Sequence, residues 1–196
     1  MADITGTYDL GPNVGRVLAK TGREGLAARA GHDLTIEIAR WSARVAVPDA
    51  EGGGIAAASL TAEFDLGSLT VRTGTGGAKP LSDRDRRDIQ AQARKILGDG
   101  AKASFISAKV VPSANDDGVF EGSGVIEGQL TLHGTSRPIR LQVTSPAPGQ
   151  FRGGATVRQT DFGITPYSGF FGTLKLKNEI VIEFEVNIKD FPNVSA

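Results

Sequence analysis

The two histidines are the residues of this chain best suited to acid–base chemistry. His32 stands beside Asp33, and a histidine next to a carboxylate can act as a general base near neutral pH. Adjacent residues on a strand face opposite sides of the sheet, however, so these two side chains should diverge. No serine lies in a nucleophile-elbow motif, and the chain has no cysteine. We therefore expect no catalytic residue, and we interpret His32 as a hydrogen-bonding partner of a polar ligand headgroup or of a neighbouring loop.

The second histidine, His133, lies in the stretch GQLTLHGTSRPIRLQV, which at first resembles the polar rim of an active site. It shares the parity of Gln129 and Thr131, so its side chain should point away from the apolar side of the strand. Gly134 and Pro138 are typical of a connection between two strands. The sequence therefore predicts a hairpin tip here.

Metal ligands are scarce in the sequence. Two histidines and no cysteine do not form a ligand set typical of a zinc site. Asp116 and Asp117 in SANDDG are most simply a turn, because two carboxylates alone are a weak indication of calcium. No metal or redox cofactor is indicated.

Composition limits the classes of partner. The chain has 22 Lys and Arg against 22 Asp and Glu, so no overall field attracts nucleic acid or an anionic membrane. The N-terminus lacks the apolar core of a secretory signal, and no window approaches 18 consecutive apolar residues. We expect a single domain over residues 1–196, a cytoplasmic location and no integral membrane segment.

Period-two alternation of apolar and polar residues is the strongest structural pattern. It is clearest in Ala58–Leu66 and over residues 180–188, and it recurs over residues 34–38 and 139–143. Each segment is typical of a half-buried strand in an antiparallel sheet with one face in water.

One longer alternating run, VFEGSGVIEGQLTL over residues 119–132, carries Gly122, Gly124 and Gly128 on its apolar side. Two interpretations are open, and both can hold together. The glycines can let a long strand bend or bulge as the sheet closes. Alternatively, their missing side chains leave volume on the inner face.

A single segment, Ser82–Leu97, has a convincing helical pattern. Ser82 is a candidate N-cap, acidic residues occupy the first turn, and Gly98 is a plausible C-terminal stop. One helix cannot cover a sheet of about eight strands, so the sheet must close on itself or fold into two layers. The patterns thus predict an antiparallel barrel or sandwich, and a barrel of this size is either filled by side chains or holds one small ligand.

Several stretches form an ordered pattern over nearly the whole chain. They are the N-terminal GTYDLGP, Gly31–Trp41, Ala58–Leu69, Ala103–Val111, Ile126–Val143 and Thr160–Ile182. The most specific are the hairpin LTLHGTSRPIRL and the motif DFGI followed by a loop and an amphipathic last strand. In this pattern the chain resembles the YceI-like family. The resemblance implies an all-β fold, an extended lipocalin-like antiparallel β-barrel of about eight strands with one moderately long α-helix.

The resemblance also implies a function, because family members bind polyisoprenoid or related long-chain lipids. We expect non-enzymatic binding, storage or transport of a polyisoprenoid, an isoprenoid quinone or a fatty acyl compound inside the barrel. A bound quinone would be cargo rather than a catalytic cofactor. The candidate ligand-binding residues on the apolar strand faces are Leu34, Ile36, Phe64, Leu66, Phe120, Ile126, Leu130, Leu132, Ile139, Leu141, Ile182 and Phe184. Parity alone equally allows these residues to pack against one another in a filled core.

A second apolar group lies in DFGITPYSGFF and consists of Phe162, Tyr167, Phe170 and Phe171. Its three phenylalanines join the candidate ligand-binding residues. The group could cap the barrel mouth, contact membrane lipid during transfer, form a homodimer interface or pack as a plain loop.

Two rival functions belong to other classes. One is a barrel enzyme that acts on a lipid-like substrate through His32 or His133. The other is a structural or interaction protein whose barrel is filled and holds no ligand.

Overall fold

The structure, a computed structural model, describes residues 4–114 and 120–188, with the backbone alone for residues 114, 120, 121 and 170. It contains one α-helix, α1, and twelve β-strands within the described residues. Their bounds are β1 Gly6–Leu10, β2 Gly15–Glu24, β3 Asp33–Ile38, β4 Trp41–Val47, β5 Ser59–Asp65, β6 Leu69–Thr75, α1 Asp83–Leu97, β7 Lys102–Ala114, β8 Phe120–Leu132, β9 Thr135–Ala147, β10 Gln150–Arg158, β11 Ser168–Gly169 and β12 Leu174–Asn187. The turn motif SANDDG extends into residues 115–119, which lie outside the described residues, as do Asp116 and Asp117.

All strands belong to one antiparallel sheet. Eleven of them follow the order β1-β4-β5-β7-β8-β9-β10-β12-β2-β3-β6, and the short β11 pairs with β12. The predicted all-β class and the single helix are confirmed, but the expected number of about eight strands is too low. The additional strands include β2, β6 and β10, whose sequences GRVLAKTGRE, LTVRTGT and QFRGGATVR lack clear alternation.

The connection between β3 and β4 shows why the sheet curls. These strands are tenth and second in the sheet order, so a flat sheet would separate them by about 38 Å at the usual strand spacing. Only Ala39 and Arg40 join them, and such a link spans about 11 Å at most. The sheet must therefore curl until the end of β3 meets the start of β4, which gives the barrel-like shape.

A second crossing link fixes this closure. A short 3-10 turn, Leu66–Ser68, carries the chain from β5 to β6 and lies against the β3–β4 link. The Arg40 amide donates to Ser68 Oγ over 2.8 Å, and the Asp65 amide donates to the Arg40 carbonyl over 3.0 Å. Arg40 and Asp65 also form an ion pair with an N–O distance of 2.7 Å. We call these two links, residues 39–40 and 65–68, the closure clamp.

Helix α1 covers the free edge of β6. Ser82 is its N-cap, as predicted, and forms a capping box with Asp85. Arg86 donates hydrogen bonds to the carbonyls of Val71 and Arg72, and Gln90 accepts one from the Val71 amide. The helix thus satisfies backbone groups that an edge strand would otherwise leave open to pairing.

The buried core lies between this helix and the strands around the closure clamp. The larger cluster contains Val17, Leu34, Ile36, Ile38, Trp41, Leu66, Leu69, Val71, Ala103 and Val186. A smaller cluster contains Val157, Phe162 and Ile164. Ile89, Ala93, Ile96 and Leu97 of α1 pack against one or both clusters, so the apolar stripe of the helix closes this part of the barrel.

Candidate functional site

The inner face of β8 and β9 carries a row of apolar side chains that are only half-buried. Ile126 lies opposite Leu141 in the ladder, Gly128 opposite Ile139, and Gly124 opposite Val143. Ile126 has the same parity as Leu130 and Leu132, which pack against the core clusters, so the row faces the inside of the barrel. We call Ile126, Ile139, Leu141 and Val143 the open apolar surface.

The open apolar surface differs from the rest of the inner face in its packing. None of its four residues belongs to, or packs against, either core cluster found within residues 4–114 and 120–188. Each keeps an intermediate exposure despite facing inward. Four adjacent aliphatic side chains therefore have apolar area that the described protein atoms leave accessible.

Two aromatic rings border this surface and lie over glycines. A Cβ atom on Gly128 would collide with the Phe105 ring and with the Ile106 carbonyl. A Cβ atom on Gly153 would lie 2.9 Å from Cζ of Phe184. Gly128 thus makes room for a ring rather than for empty volume.

The other two glycines of β8 allow a close backbone approach and a left-handed backbone conformation. Gly124 approaches the Val111 carbonyl, and Gly122 has a positive φ of 73° beside an irregular register between β7 and β8. At these positions the bending interpretation describes the structure.

The candidate ligand-binding residues fall into groups by their surroundings. Leu34, Ile36 and Leu66 are buried in the larger cluster, where their contacts are with protein. Phe64, Leu130, Leu132, Ile182 and Phe184 are partly buried against the core. Ile126, Ile139 and Leu141 form most of the open apolar surface. The backbone of Phe120 begins β8, and its side chain lies outside the described residues.

The aromatic residues between positions 162 and 171 differ in how far they are buried. Phe162 is the most buried large side chain of the described part, at 2% exposure, and packs with Val157 and Ile164. It is a core residue because the 3-10 turn Gln159–Phe162 directs it beneath α1. Phe171 is fully exposed, and Tyr167 is half-buried with its hydroxyl next to Gly169. The side chain of Phe170 lies outside the described residues.

The two histidines lie in a loop contact and in a hairpin turn. His32 Nε2 lies 2.7 Å from the Lys79 carbonyl, in the loop before α1, and Asp33 Oδ1 accepts a hydrogen bond from the Arg23 amide. The two side chains thus have different hydrogen-bond partners, and His32 lies just before β3, which begins at Asp33. His133 is exposed in the two-residue turn His133–Gly134, where both residues have positive φ, as in a type I′ hairpin. Thr135–Pro138, which the sequence interpretation assigned to the connection, already belongs to β9.

The outer face of β9, β10, β12 and β2 carries two open grooves of about 320 and 470 Å³. Charged pairs line the larger one, including Arg16–Glu185 at 2.6 Å and Lys20–Glu183 at 2.7 Å. A long apolar molecule would have to displace water from these charges without compensation, so the inner face suits it better.

No helix in the described residues is long and apolar enough to cross a membrane. In the same part of the chain, no three His, Asp or Glu side chains come together in a group that could hold a metal ion.

Sequence reasoning missed two residues of the site. Phe105 lies in β7, where a register shift between Ser107 and Lys109 breaks the alternation, so the strand pattern does not indicate which face it occupies. Val143 is not among the candidate ligand-binding residues of the sequence, although its place opposite Gly124 puts it beside Leu141. Ladder register is the property that identifies both, and a single strand does not reveal it.

Comparison with known proteins agrees with this architecture. The family model of the YceI-like domain matches residues 26–188. The crystal structure of Burkholderia cenocepacia BcnA has a TM-score of 0.58 at 15% identity, covering 89% of this chain and 96% of that chain. A crystal structure of the Campylobacter jejuni YCEI protein has a TM-score of 0.48 at 15% identity, covering 79% of this chain and 85% of that chain. A comparison with curated proteins gives no match. At this identity the likeness to BcnA concerns the fold alone.

Proposed function

The chain belongs to the YceI-like family, and from this premise we propose that it binds, stores or transports a long apolar molecule without catalysing a reaction on it. The proposed ligand is a polyisoprenoid, an isoprenoid quinone or a fatty acyl compound, held on the inner face of the barrel. A quinone in this place would be cargo.

One observation carries the proposal. Ile126, Ile139, Leu141 and Val143 lie side by side on the inner face, half-buried, and none packs against either core cluster of the described residues. Burying each methylene group contributes about 0.8 kcal/mol. A chain of twenty or more carbons needs no strong polar contact to bind such a surface, even after the entropy lost on association is subtracted.

The surroundings of the histidines support binding rather than catalysis. A general base needs a free nitrogen within hydrogen-bond reach of the reacting atom. His32 Nε2 already lies at hydrogen-bond distance from the Lys79 carbonyl, and His133 lies in the β8–β9 turn, outside the open apolar surface.

A matched pair of variants tests the site. Leu141→Asn places an amide in the open apolar surface, whereas Val181→Asn makes the same kind of change on the outer face of β12, where Val181 is 40% exposed. Titration with the polyprenol solanesol, with ubiquinone and with palmitate, followed by co-elution in gel filtration, measures affinity. We expect Leu141→Asn to weaken binding of at least one ligand about tenfold or more, the effect of about 1.4 kcal/mol, and Val181→Asn to leave it unchanged.

Two results would contradict the proposal. One is the absence of uptake of all three ligands by the folded wild-type protein. The other is equal affinity of wild type and Leu141→Asn. Turnover of a lipid ester that His32→Ala abolishes would instead support the enzyme alternative.

A further inference from the structure

Two apolar side chains project fully into solvent from neighbouring loops. Leu26 is 96% exposed and Phe171 is 108% exposed, the highest values among the large apolar residues of the described chain. The Ala27 amide donates a hydrogen bond to the Thr173 carbonyl over 2.9 Å, which ties the two loops together next to these residues. We call Leu26 and Phe171 the apolar tip.

The apolar tip has a fixed base. Leu174 is buried and packs against Gly31, where a Cβ atom would meet its Cδ1 at 2.7 Å. Gly25 approaches the Thr173 carbonyl with a positive φ of 97°. The two exposed side chains therefore extend from a packed platform and not from a loose terminus.

Phe171 adopts a backbone conformation that its side chain disfavours. Its φ of 56° and ψ of 34° lie in the left-handed region, which is uncommon for a bulky residue other than glycine. Such strain is typical of functional segments, because only the surrounding structure maintains it. Here it presents an aromatic ring to water, which stability alone does not favour.

Basic residues predominate in the two chain segments that carry the apolar tip. The two segments that carry it, residues 22–31 and 168–177, include the end of β2, all of β11 and the start of β12. They contain four basic residues, Arg23, Arg29, Lys175 and Lys177, against the single acidic Glu24, which lies opposite Lys175 in the ladder. Their net charge is +3 in a chain whose formal net charge is zero. Arg29, Lys175 and Lys177 are exposed.

We propose that the apolar tip docks the protein onto the surface of an anionic lipid bilayer. Leu26 and Phe171 enter the boundary between headgroups and acyl chains, while the surrounding cations lie near lipid phosphates, the arrangement typical of interfacial binding. A second copy of the chain fits less well, because two tips of charge +3 would face each other. The docking is independent of cargo and extends the proposed function, since it would bring the barrel to a membrane.

Vesicle co-sedimentation tests this surface. The probes are vesicles of phosphatidylcholine alone and of phosphatidylcholine with phosphatidylglycerol, both free of polyprenol and quinone. We expect the wild type to bind the anionic vesicles, with binding that falls at high salt. Phe171→Gly should lose about tenfold or more of this affinity while its melting temperature stays equal or rises, because glycine removes the backbone strain.

Three further variants separate the contributions. Leu26→Ser should weaken binding to anionic vesicles, and the double variant Lys175→Gln, Lys177→Gln should lower the preference for them. Ile106→Ser is the control, because Ile106 is 59% exposed on β7, outside the two tip segments, and we expect it to bind like the wild type.

Absence of wild-type vesicle binding, or unchanged binding by Phe171→Gly, would overturn the proposal. A concentration-dependent rise in mass that Phe171→Gly abolishes, without vesicle binding, would assign the tip to a second copy of the chain. Ligand uptake is measured without vesicles, so the two proposals fail separately.

Discussion

Single glycines decide how the inner face of the barrel is shaped. Gly128 lies beneath the ring of Phe105, and Gly153 lies beneath that of Phe184. Each glycine lets a large ring from a neighbouring strand approach the sheet closely. Gly128 lies opposite Ile139 and Gly153 opposite Val143, so the two rings lie next to the open apolar surface.

Gly128→Ala should destabilise the fold by about 1–3 kcal/mol, because the new methyl group meets both the Phe105 ring and the Ile106 carbonyl. Urea unfolding measures the loss. In combination with Phe105→Leu the costs should be non-additive, since the smaller side chain removes one of the two collisions. Additive costs would show that the ring does not lie over Gly128.

Asp65 in the closure clamp gives stability a dependence on pH. The hydrogen bond from the Arg40 guanidinium is the main reason that the pKa of this carboxyl lies below its ordinary value. The hydrogen bond from the Gly67 amide lowers the pKa further by a smaller amount. A carboxyl with a lower pKa in the folded state stabilises the protein above the unfolded-state pKa of about 3.9. That contribution disappears as the pH falls through the folded-state value.

We therefore expect the urea midpoint of Asp65→Asn to lie below that of the wild type at pH 7 and to converge with it towards pH 3. Arg40→Gln should show the same convergence, because it removes the main cause of the shift. A difference between wild type and Asp65→Asn that stays constant from pH 7 to pH 3 would contradict this role.

At the scale of elements, α1 is the part that the sequence predicts best. Its N-cap, its acidic first turn and its terminal glycine are local signals that do not depend on the rest of the fold. The strands β3, β5, β9 and β12 are also visible from alternation, whereas β2, β6 and β10 are not. The reason is that their inner faces carry a polar residue or a glycine: Thr21 of β2 is buried, Gly74 of β6 lies beneath Leu81, and Gly153 of β10 lies beneath Phe184.

Arg86→Ala should uncover part of the β6 edge. The variant loses hydrogen bonds to the Val71 and Arg72 carbonyls, and we expect a loss of about 1 kcal/mol in the free energy of unfolding. It should also aggregate faster on heating, because exposed edge groups can pair with another chain. Arg87→Ala, on the exposed side of the same helix, is the control for urea unfolding and light scattering. Equal behaviour of the two variants would show that α1 does not protect the edge through Arg86.

At the scale of the whole molecule, the fold follows from two short links across the sheet. A two-residue connection between the tenth and second strands, together with the turn from the third strand to the eleventh, requires a curled, barrel-like sheet. Alternation predicts strands and a closed or layered sheet, but strand order depends on contacts between residues far apart in sequence. The prediction of a barrel rests on the family resemblance. The structure adds which inward-facing residues do not pack against the core clusters of the described residues.

The open apolar surface is therefore a property of the assembled barrel. Parity assigns Ile126, Ile139 and Leu141 to the same inward faces as Leu34, Ile36 and Leu66. The structure places the last three in the core. Parity identifies which side chains face inward, and only the curvature of the sheet and the position of α1 decide which of them other side chains cover.

The most direct test is native mass spectrometry of the purified protein, with organic extraction and with added solanesol, ubiquinone or palmitate. We expect a complex of one long-chain molecule per protein, and we expect Leu141→Asn to lose it while Val181→Asn retains it. A folded protein that carries no lipid after purification and takes up none of the three compounds would contradict the claim that the barrel binds a long apolar ligand.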